Sequence, residues 1–90
     1  MVYVYVIESL SDHTWYKGMA INPRQRLKEH NAGKNRFTKG HRPWKLIYAE
    51  PHPDWQAARI REKYFKSAAG VTWLRKWMNQ NGGDTGSLPA

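Results

Sequence analysis

Apolar and polar positions alternate at the start of the chain. Residues 2–8 read VYVYVIE, a run of β-branched and aromatic side chains that is typical of a strand. Because successive side chains point to opposite faces, the tyrosines and Ile7 share one face and the valines share the other. The polar segment 9–13 predicts a hairpin turn, and residues 14–19 (TWYKGM) predict the returning strand. Gly18 falls where the chain leaves that strand, and its missing side chain would let a ligand or backbone come close.

A helix is predicted after this hairpin. Asn22 is a good N-cap, and Pro23 suits the first helical turn. The helix should continue to about His30 and end near Gly33, a plausible terminator. Arg26 lies one turn before His30, so their side chains share a face.

The second half of the chain predicts one more strand and a long helix. Residues 44–50 (WKLIYAE) have the composition of a strand, and the prolines of segment 51–53 should end it, since proline cannot continue a ladder. Asp54 is a suitable cap for a helix over residues 55–69, which Gly70 should stop.

The remaining residues complete an α+β fold. A short aromatic helix is predicted over residues 72–79, and residues 81–90 have the Gly, Asn and Ser content of a flexible tail. The predicted order is therefore β-β-α-β-α-α, because two strands joined by a short hairpin are antiparallel. We expect one domain over residues 1–80, with a three-stranded, mainly antiparallel sheet flanked by helices.

Composition narrows the class of function. Lys and Arg number 15 against 7 Asp and Glu, which gives a formal net charge of +8 and a pI of about 10.1 in 90 residues. A basic domain with interleaved aromatic residues most often binds a polyanion, although a merely basic protein is the ordinary alternative. There is no cysteine and the four histidines are scattered, so we expect no disulfide and no structural zinc site. No apolar run reaches the length of a membrane span and no signal peptide opens the chain, so we expect a soluble, cytoplasmic protein.

The densest basic stretch is residues 34–45, KNRFTKGHRPWK. It contains five Lys or Arg residues plus a histidine, and no acid. A solvated loop is the ordinary explanation of such a run. Because it follows the predicted helix, we expect instead a loop that contacts phosphates through Lys34, Arg36, Lys39, Arg42 and Lys45.

Four side chains could act on a phosphodiester. They are Tyr5, Tyr16, Arg26 and His30. Across a hairpin the two tyrosines can lie close together. A phenol can accept a proton from water, and a guanidinium binds phosphate oxygens bidentately. Taken singly, each residue has an ordinary structural explanation, and only the set and its spacing indicate chemistry.

The set resembles a known family. Tyr3-Val4-Tyr5 and, after ten residues, Tyr16-Lys17-Gly18 resemble the paired signature of the GIY-YIG endonuclease superfamily. The segments 24–30, 30–48 and 61–63 resemble, in order, the family's arginine helix, the following region of its small stand-alone bacterial members, and the helix segment with its metal-binding glutamate. Two positions depart from the signature, since Tyr3 replaces its first glycine and Lys17 its second isoleucine.

The resemblance implies hydrolysis of a phosphodiester by water with one divalent ion, Mg²⁺ or Mn²⁺. Glu62 would hold the ion and Arg26 the phosphate oxygens. One tyrosine would be the general base; Tyr5 is favoured, with Tyr16 orienting water or phosphate, but the assignment between them stays open. His30 would be a polar neighbour, and Lys17 either contacts phosphate or is a surface lysine.

Two other functions fit the same residues. The chain could be a nucleic-acid-binding module that keeps the fold without useful turnover, or a protein-interaction domain that uses Trp73 and Trp77. DNA is favoured over RNA as the partner, and the sequence leaves the oligomeric state open.

Overall fold

The computed structural model describes residues 1–81, which form one three-stranded sheet and three helices. The strands are β1 (Val2–Ser9), β2 (Trp15–Ala20) and β3 (Trp44–His52), and the helices are α1 (Pro23–Asn31), α2 (Trp55–Phe65) and α3 (Ala68–Asn81). A short 3-10 turn covers Thr38–His41. Both neighbours of the central strand β1 are antiparallel to it, in the order β2-β1-β3. The predicted α+β fold and element order are therefore confirmed, while the predicted tail lies outside the described residues beyond Asn81.

The two faces of β1 bury different side chains. Val2, Val4 and Val6 pack with residues of α2 and α3, including Phe65 and Leu74. The opposite face carries Tyr5 and Ile7, which pack with Ala20, Trp44 and Leu46 and with Leu27 of α1. The strict alternation of the sequence thus places α1 on one side of the sheet and the pair α2–α3 on the other.

The predicted helix caps are present. Asn22 Oδ1 accepts a hydrogen bond from the Gln25 amide at 3.1 Å, and Asp54 Oδ1 accepts one from the Ala57 amide at 2.8 Å. Gly33 follows α1 with φ +80°, a conformation that favours glycine. These bonds satisfy amides that the first helical turn would otherwise leave unpaired.

The boundary between α2 and α3 differs from the prediction. α2 ends at Phe65 rather than at residue 69, and Gly70 lies inside α3 instead of stopping a helix. A Cβ on Gly70 would collide with the Tyr64 carbonyl oxygen and the backbone of Phe65. The glycine therefore allows the first turn of α3 to pack on the last turn of α2.

The predicted end of β3 also differs from the structure. β3 continues through Pro51 to His52, since it is an edge strand and a proline is tolerated there. Trp73 and Trp77 are half-buried and pack edge-on against Tyr48, at centroid distances of 5.7 and 4.8 Å. Both tryptophans therefore cover the core beneath α3. None of the helices in residues 1–81 is long and apolar enough to cross a bilayer.

Candidate active site

A buried hydrogen-bonded chain joins β1, α1 and the 3-10 turn. The hydroxyl of Tyr5 lies 2.9 Å from His30 Nε2, and His30 Nδ1 lies 2.7 Å from Thr38 Oγ1. Tyr5 and Thr38 are fully buried and His30 is 2% exposed. Each ring nitrogen of His30 therefore has a partner, which fixes the orientation of the imidazole.

The strand register explains why Tyr5 can occupy this position. Tyr5 lies directly opposite Gly18 in the β1–β2 ladder. A Cβ on Gly18 would lie 2.7 Å from the Tyr5 hydroxyl oxygen and 2.8 Å from Cζ, so the phenol occupies the space of the missing side chain. Gly18 lies inside β2 rather than at its end, and it receives the Tyr5 ring rather than a ligand or a backbone segment.

Burial sets the protonation of this pair. Burial, reinforced by the nearby Tyr16 and opposed by the positive charge of Arg26, raises the pKa of Tyr5 to about 12. Burial and then the charge of Arg26 lower the pKa of His30 below its ordinary value. At neutral pH both groups are uncharged, and a protonated phenol can donate to a neutral imidazole.

Tyr16 is the more accessible tyrosine. It lies opposite Ile7, diagonal to Tyr5, and the two phenol ring centroids are 6.5 Å apart. The Tyr16 ring is half-buried and meets the His30 ring nearly edge-on at 5.0 Å. It lines a surface depression of about 280 Å³ together with Trp15, Lys17, Phe37 and Lys66. A water or phosphate in this depression would meet Tyr16, whereas Tyr5 lies behind it.

Arg26 projects from α1 at the surface beside the buried pair. Its side chain is 47% exposed, and Nη1 donates to Glu29 Oε1 at 3.0 Å. Arg26 lines a depression of about 440 Å³ with Trp55 and residues of the β2–α1 connection, and a smaller depression with Glu29 and His30. The guanidinium is therefore held in place and still accessible to a phosphate.

Glu62 lies on α2, the helix that packs against β1 and the edge strand β2. Its side chain is 15% exposed, and its nearest ionic partner is Lys66 Nζ, 3.7 Å from Oε2. On a helix, residues 55, 62 and 66 fall on one face. Trp55 lines the depression of Arg26 and Lys66 lines that of Tyr16, so Glu62 lies on the face of α2 that borders both depressions.

The described contacts of residues 1–81 include no hydrogen bond or ion pair from Glu62 to Arg26 or to either tyrosine. Within the same residues no three His, Asp or Glu side chains cluster in a way that could hold a metal ion. On the α2 side of this region Glu62 provides a carboxylate whose contact with Lys66 is long, at 3.7 Å, whereas the carboxylate of Glu29 is paired with Arg26 at 3.0 Å.

The predicted phosphate contacts have different surroundings. Lys34, Arg36 and Lys39 are exposed, and Lys45 Nζ is 4.0 Å from a carboxylate oxygen of Glu8. Arg42 is also engaged in the fold, because its Nε donates to the Lys39 carbonyl at 2.9 Å and its guanidinium covers Gly33. Lys17 is half-buried, with Nζ 5.9 Å from the Trp15 ring centroid.

Two residues support this site although no pattern in the sequence indicates that role. Thr38 lies within the basic stretch and looks like an ordinary loop residue, yet its buried hydroxyl holds His30. Asn31 follows the predicted end of α1, and its side-chain amide bonds both the amide and the carbonyl of Trp44, at 2.7 and 3.1 Å. Neither pairing follows from local periodicity, since each joins segments whose relative position is set by packing.

A model of the GIY-YIG catalytic domain matches residues 1–73. The chain belongs to the GIY-YIG family. It shares the nuclease domain fold of that family, and the match covers the paired tyrosine signature, α1, the basic stretch and α2. The family resemblance based on the spacing of the tyrosines and Arg26 is thereby confirmed.

Small relatives of this GIY-YIG protein cover most of its length. A UPF0213 protein of Syntrophus aciditrophicus (strain SB) is 48% identical over 75 residues, which is 81% of this chain and 85% of that protein. A UPF0213 protein of Streptococcus agalactiae serotype V is 35% identical over 82 residues, 87% of this chain and 92% of the relative. The solution NMR structure of a UPF0213 protein from Bacillus halodurans has 30% identity and a TM-score of 0.52, and the match covers 86% of this chain and 85% of that one. The names of these relatives state no activity.

Proposed function

We propose that the protein is a divalent-metal-dependent endonuclease that hydrolyses phosphodiester bonds in nucleic acid. The observation that carries the proposal is the Tyr5–His30 pair, which lies directly behind Tyr16 and beside an accessible Arg26. In a member of the GIY-YIG family, this arrangement would place a phenol that can accept a proton, Tyr16, near a guanidinium that is always positively charged, Arg26. The net charge of +8 favours a polyanionic substrate.

The burial of Tyr5 changes the roles proposed for the two tyrosines. A phenol that is fully buried and whose pKa is raised to about 12 does not contact an attacking water directly. Tyr16 faces the surface depression, so we assign it the contact with the attacking water and the acceptance of its proton. A phenol accepts a proton in its phenolate form, and the cations Lys17 and Lys66 line the same depression as Tyr16.

Tyr5 and His30 then act as positioning residues. The Tyr5 hydroxyl is hydrogen-bonded to His30 Nε2, and Nδ1 of His30 is hydrogen-bonded to Thr38 Oγ1. This chain holds the imidazole against the Tyr16 ring at 5.0 Å and so limits the rotation of that ring. The hydroxyl of Tyr16 is thereby held towards the depression.

Arg26 is the group proposed to bind the reacting phosphate. A guanidinium presents parallel N–H donors to two phosphate oxygens and keeps its charge at every physiological pH. Its pairing with Glu29 leaves the rest of the fork accessible, since the side chain is 47% exposed. It would therefore stabilise the additional negative charge that develops as water attacks phosphorus.

Glu62 is the residue proposed to hold the divalent ion. The donor set fits Mg²⁺ or Mn²⁺, because Mg²⁺ usually binds through one or two carboxylates, keeps several waters and uses substrate phosphates as further ligands. A bound divalent ion supplies electrostatic stabilisation of the leaving oxygen. The loose contact with Lys66 at 3.7 Å leaves the carboxylate available for that purpose.

DNA is proposed as the substrate in preference to RNA, and the cytoplasm as the place of action. The family resemblance supports DNA, whereas neither the fold nor the charge distinguishes the two nucleic acids. The test therefore offers both, as supercoiled plasmid and as a labelled RNA of matched length.

The test is nicking of plasmid with Mg²⁺ or Mn²⁺ by the wild type, Arg26→Ala and Arg24→Ala. Arg24 lies two residues earlier on α1, is exposed and points away from Arg26, so it controls for the loss of one positive charge. We expect Arg26→Ala to reduce the rate by roughly 10²–10³-fold, the usual effect of removing one group that stabilises the transition state. Arg24→Ala should retain most of the rate. Binding without nicking by the wild type would identify a non-catalytic binding module instead.

A further inference from the structure

The edge strand β2 carries a second group of cations beyond Tyr16. Lys17 and Arg75 both lie over the indole of Trp15, with Lys17 Nζ 5.9 Å and Arg75 Cζ 5.3 Å from the ring centroid. Lys17 and Trp15 belong to β2, whereas Arg75 belongs to α3. Packing of α3 against this edge therefore brings together two charges that are distant in sequence.

Neither of these two cations forms an ion pair with an acid among residues 1–81. Among residues 1–81, Arg75 takes part in no ion pair or side-chain hydrogen bond. Burial, followed by the charges of Lys66 and Arg75, lowers the pKa of Lys17. Glu8 lines the same depression as Lys17 and Arg75, but its carboxylate pairs with His13 at 3.1 Å and with Lys45 at 4.0 Å instead of with either of these cations. An anion between Lys17 and Arg75 would relieve the repulsion that the fold leaves in place.

This cationic group is continuous with the candidate active site. Trp15 and Lys17 line the depression of Tyr16, of about 280 Å³, and also a depression of about 470 Å³ that contains Arg75. Phe37, in the basic stretch 34–45, borders the Tyr16 depression as well. A strand that crosses Tyr16 from the basic stretch would therefore next meet Trp15, Lys17 and Arg75.

We propose that Lys17 and Arg75, arranged on the indole of Trp15, form a second phosphate site that binds a nucleic-acid backbone phosphate next to the one at Tyr16. The inference rests on the proposed function for the nature of the ligand. The two cations would bind the phosphate oxygens, and Trp15 would contact the adjoining sugar or base. The site extends the binding surface onto α3, which the basic stretch of the sequence does not include.

The test measures the salt dependence of binding in EDTA, where metal-dependent cleavage is absent, by fluorescence anisotropy of a labelled DNA duplex. The double variant Lys17→Gln/Arg75→Gln should reduce the slope of log K against log salt by about 0.9, the value for one duplex phosphate that is no longer neutralised, and Lys17→Gln and Arg75→Gln should each reduce it by part of that amount. Lys76→Gln is the matched control, because Lys76 is the next residue of α3, is exposed and lines a different depression with Trp73 and Trp77. Its slope should stay close to that of the wild type.

Nicking assays on the same preparations separate this proposal from the proposed function. An unchanged slope in both variants, or an equal change in Lys76→Gln, overturns the second phosphate site even if the wild type nicks plasmid. A reduced slope specific to Lys17 and Arg75 supports the site, even if the wild type fails to cut. Absence of nucleic-acid binding by the folded wild type overturns it, and the thermal midpoint of each variant establishes that it is folded.

Discussion

The hydroxyl of Tyr5 and Nε2 of His30 lie 2.9 Å apart in the interior of the domain, although 25 positions separate the two residues in sequence. The bond ties the central strand to α1 and places a neutral imidazole behind the accessible Tyr16. It also explains the residue type at two positions where the local secondary structure would accept other residues. One is the glycine opposite Tyr5, and the other is the threonine that holds the far nitrogen of His30.

Gly18→Ala should destabilise the protein. The new methyl group would lie 2.7 Å from the hydroxyl oxygen of Tyr5, and this phenol is fully buried. Overpacking of this kind costs about 1–3 kcal/mol of the free energy of unfolding. Gly40→Ala is the matched control, because a Cβ there meets no atom within 4 Å. Urea unfolding measures both, and equal midpoints for the two variants would contradict the close packing of Tyr5 on Gly18.

The stability of the wild type should fall between about pH 10 and pH 12 because of Tyr5. The unfolded chain ionises its tyrosines near pH 10, whereas burial raises the pKa of Tyr5 to about 12 in the folded state. In that interval the unfolded state binds fewer protons, so the free energy of unfolding decreases as pH rises. A shift from 10 to about 12 corresponds to a loss of about 2–3 kcal/mol.

Denaturant midpoints of the wild type and Tyr5→Phe across this range measure the effect. The pKa of Tyr48 is also raised, by burial and by its hydrogen bond to Glu50. Both proteins therefore contain a second tyrosine that lowers the free energy of unfolding at alkaline pH. The difference between the two proteins isolates Tyr5. If the midpoints of the two proteins change in parallel from pH 9 to pH 12, Tyr5 is not a buried proton-retaining phenol.

Glu62→Gln should abolish metal-dependent cleavage and preserve nucleic-acid binding. The amide keeps the shape of the side chain and removes its charge, whereas the basic residues remain. If Glu62 served only to pair with Lys66, the variant would cut at the wild-type rate and lose only ~0.3–0.5 kcal/mol, the value of an exposed helical ion pair. Thermal midpoint, binding in EDTA and nicking with Mg²⁺ on one preparation distinguish the two roles.

Replacement of Lys34, Arg36 and Lys39 by glutamine should weaken binding and flatten its salt dependence. These three residues are exposed, whereas Arg42 also supports the turn above Gly33, so the triple variant tests charge without disturbing that turn. On duplex DNA the slope of log K against log salt should fall by about 0.9 for each phosphate that the variant no longer neutralises. Removal of charge at Lys63 and Lys76, on α2 and α3, provides the control. A wild-type affinity that does not change with salt would exclude an electrostatic binding surface.

The sequence by itself determined the local secondary structure. The alternation of residues 2–8 specifies which side chains of β1 share a face, and the side chains of Asn22 and Asp54 specify where α1 and α2 begin. These features depend on neighbours within about one turn or one strand pair, where backbone geometry fixes the spacing. The order of elements and the family resemblance followed from the same short-range patterns.

The tertiary structure alone decided how these elements meet. Gly70 resembles a helix terminator, yet the approach of α3 to the Tyr64 carbonyl is what requires a glycine there. Tyr5 and Tyr16 are chemically alike, and only packing makes one a buried hydrogen-bond partner of His30 and leaves the other at the surface. The grouping of Lys17 with Arg75 is likewise a product of α3 packing beside β2. Burial, pKa and distance depend on atoms that are distant in sequence, and no local pattern encodes them.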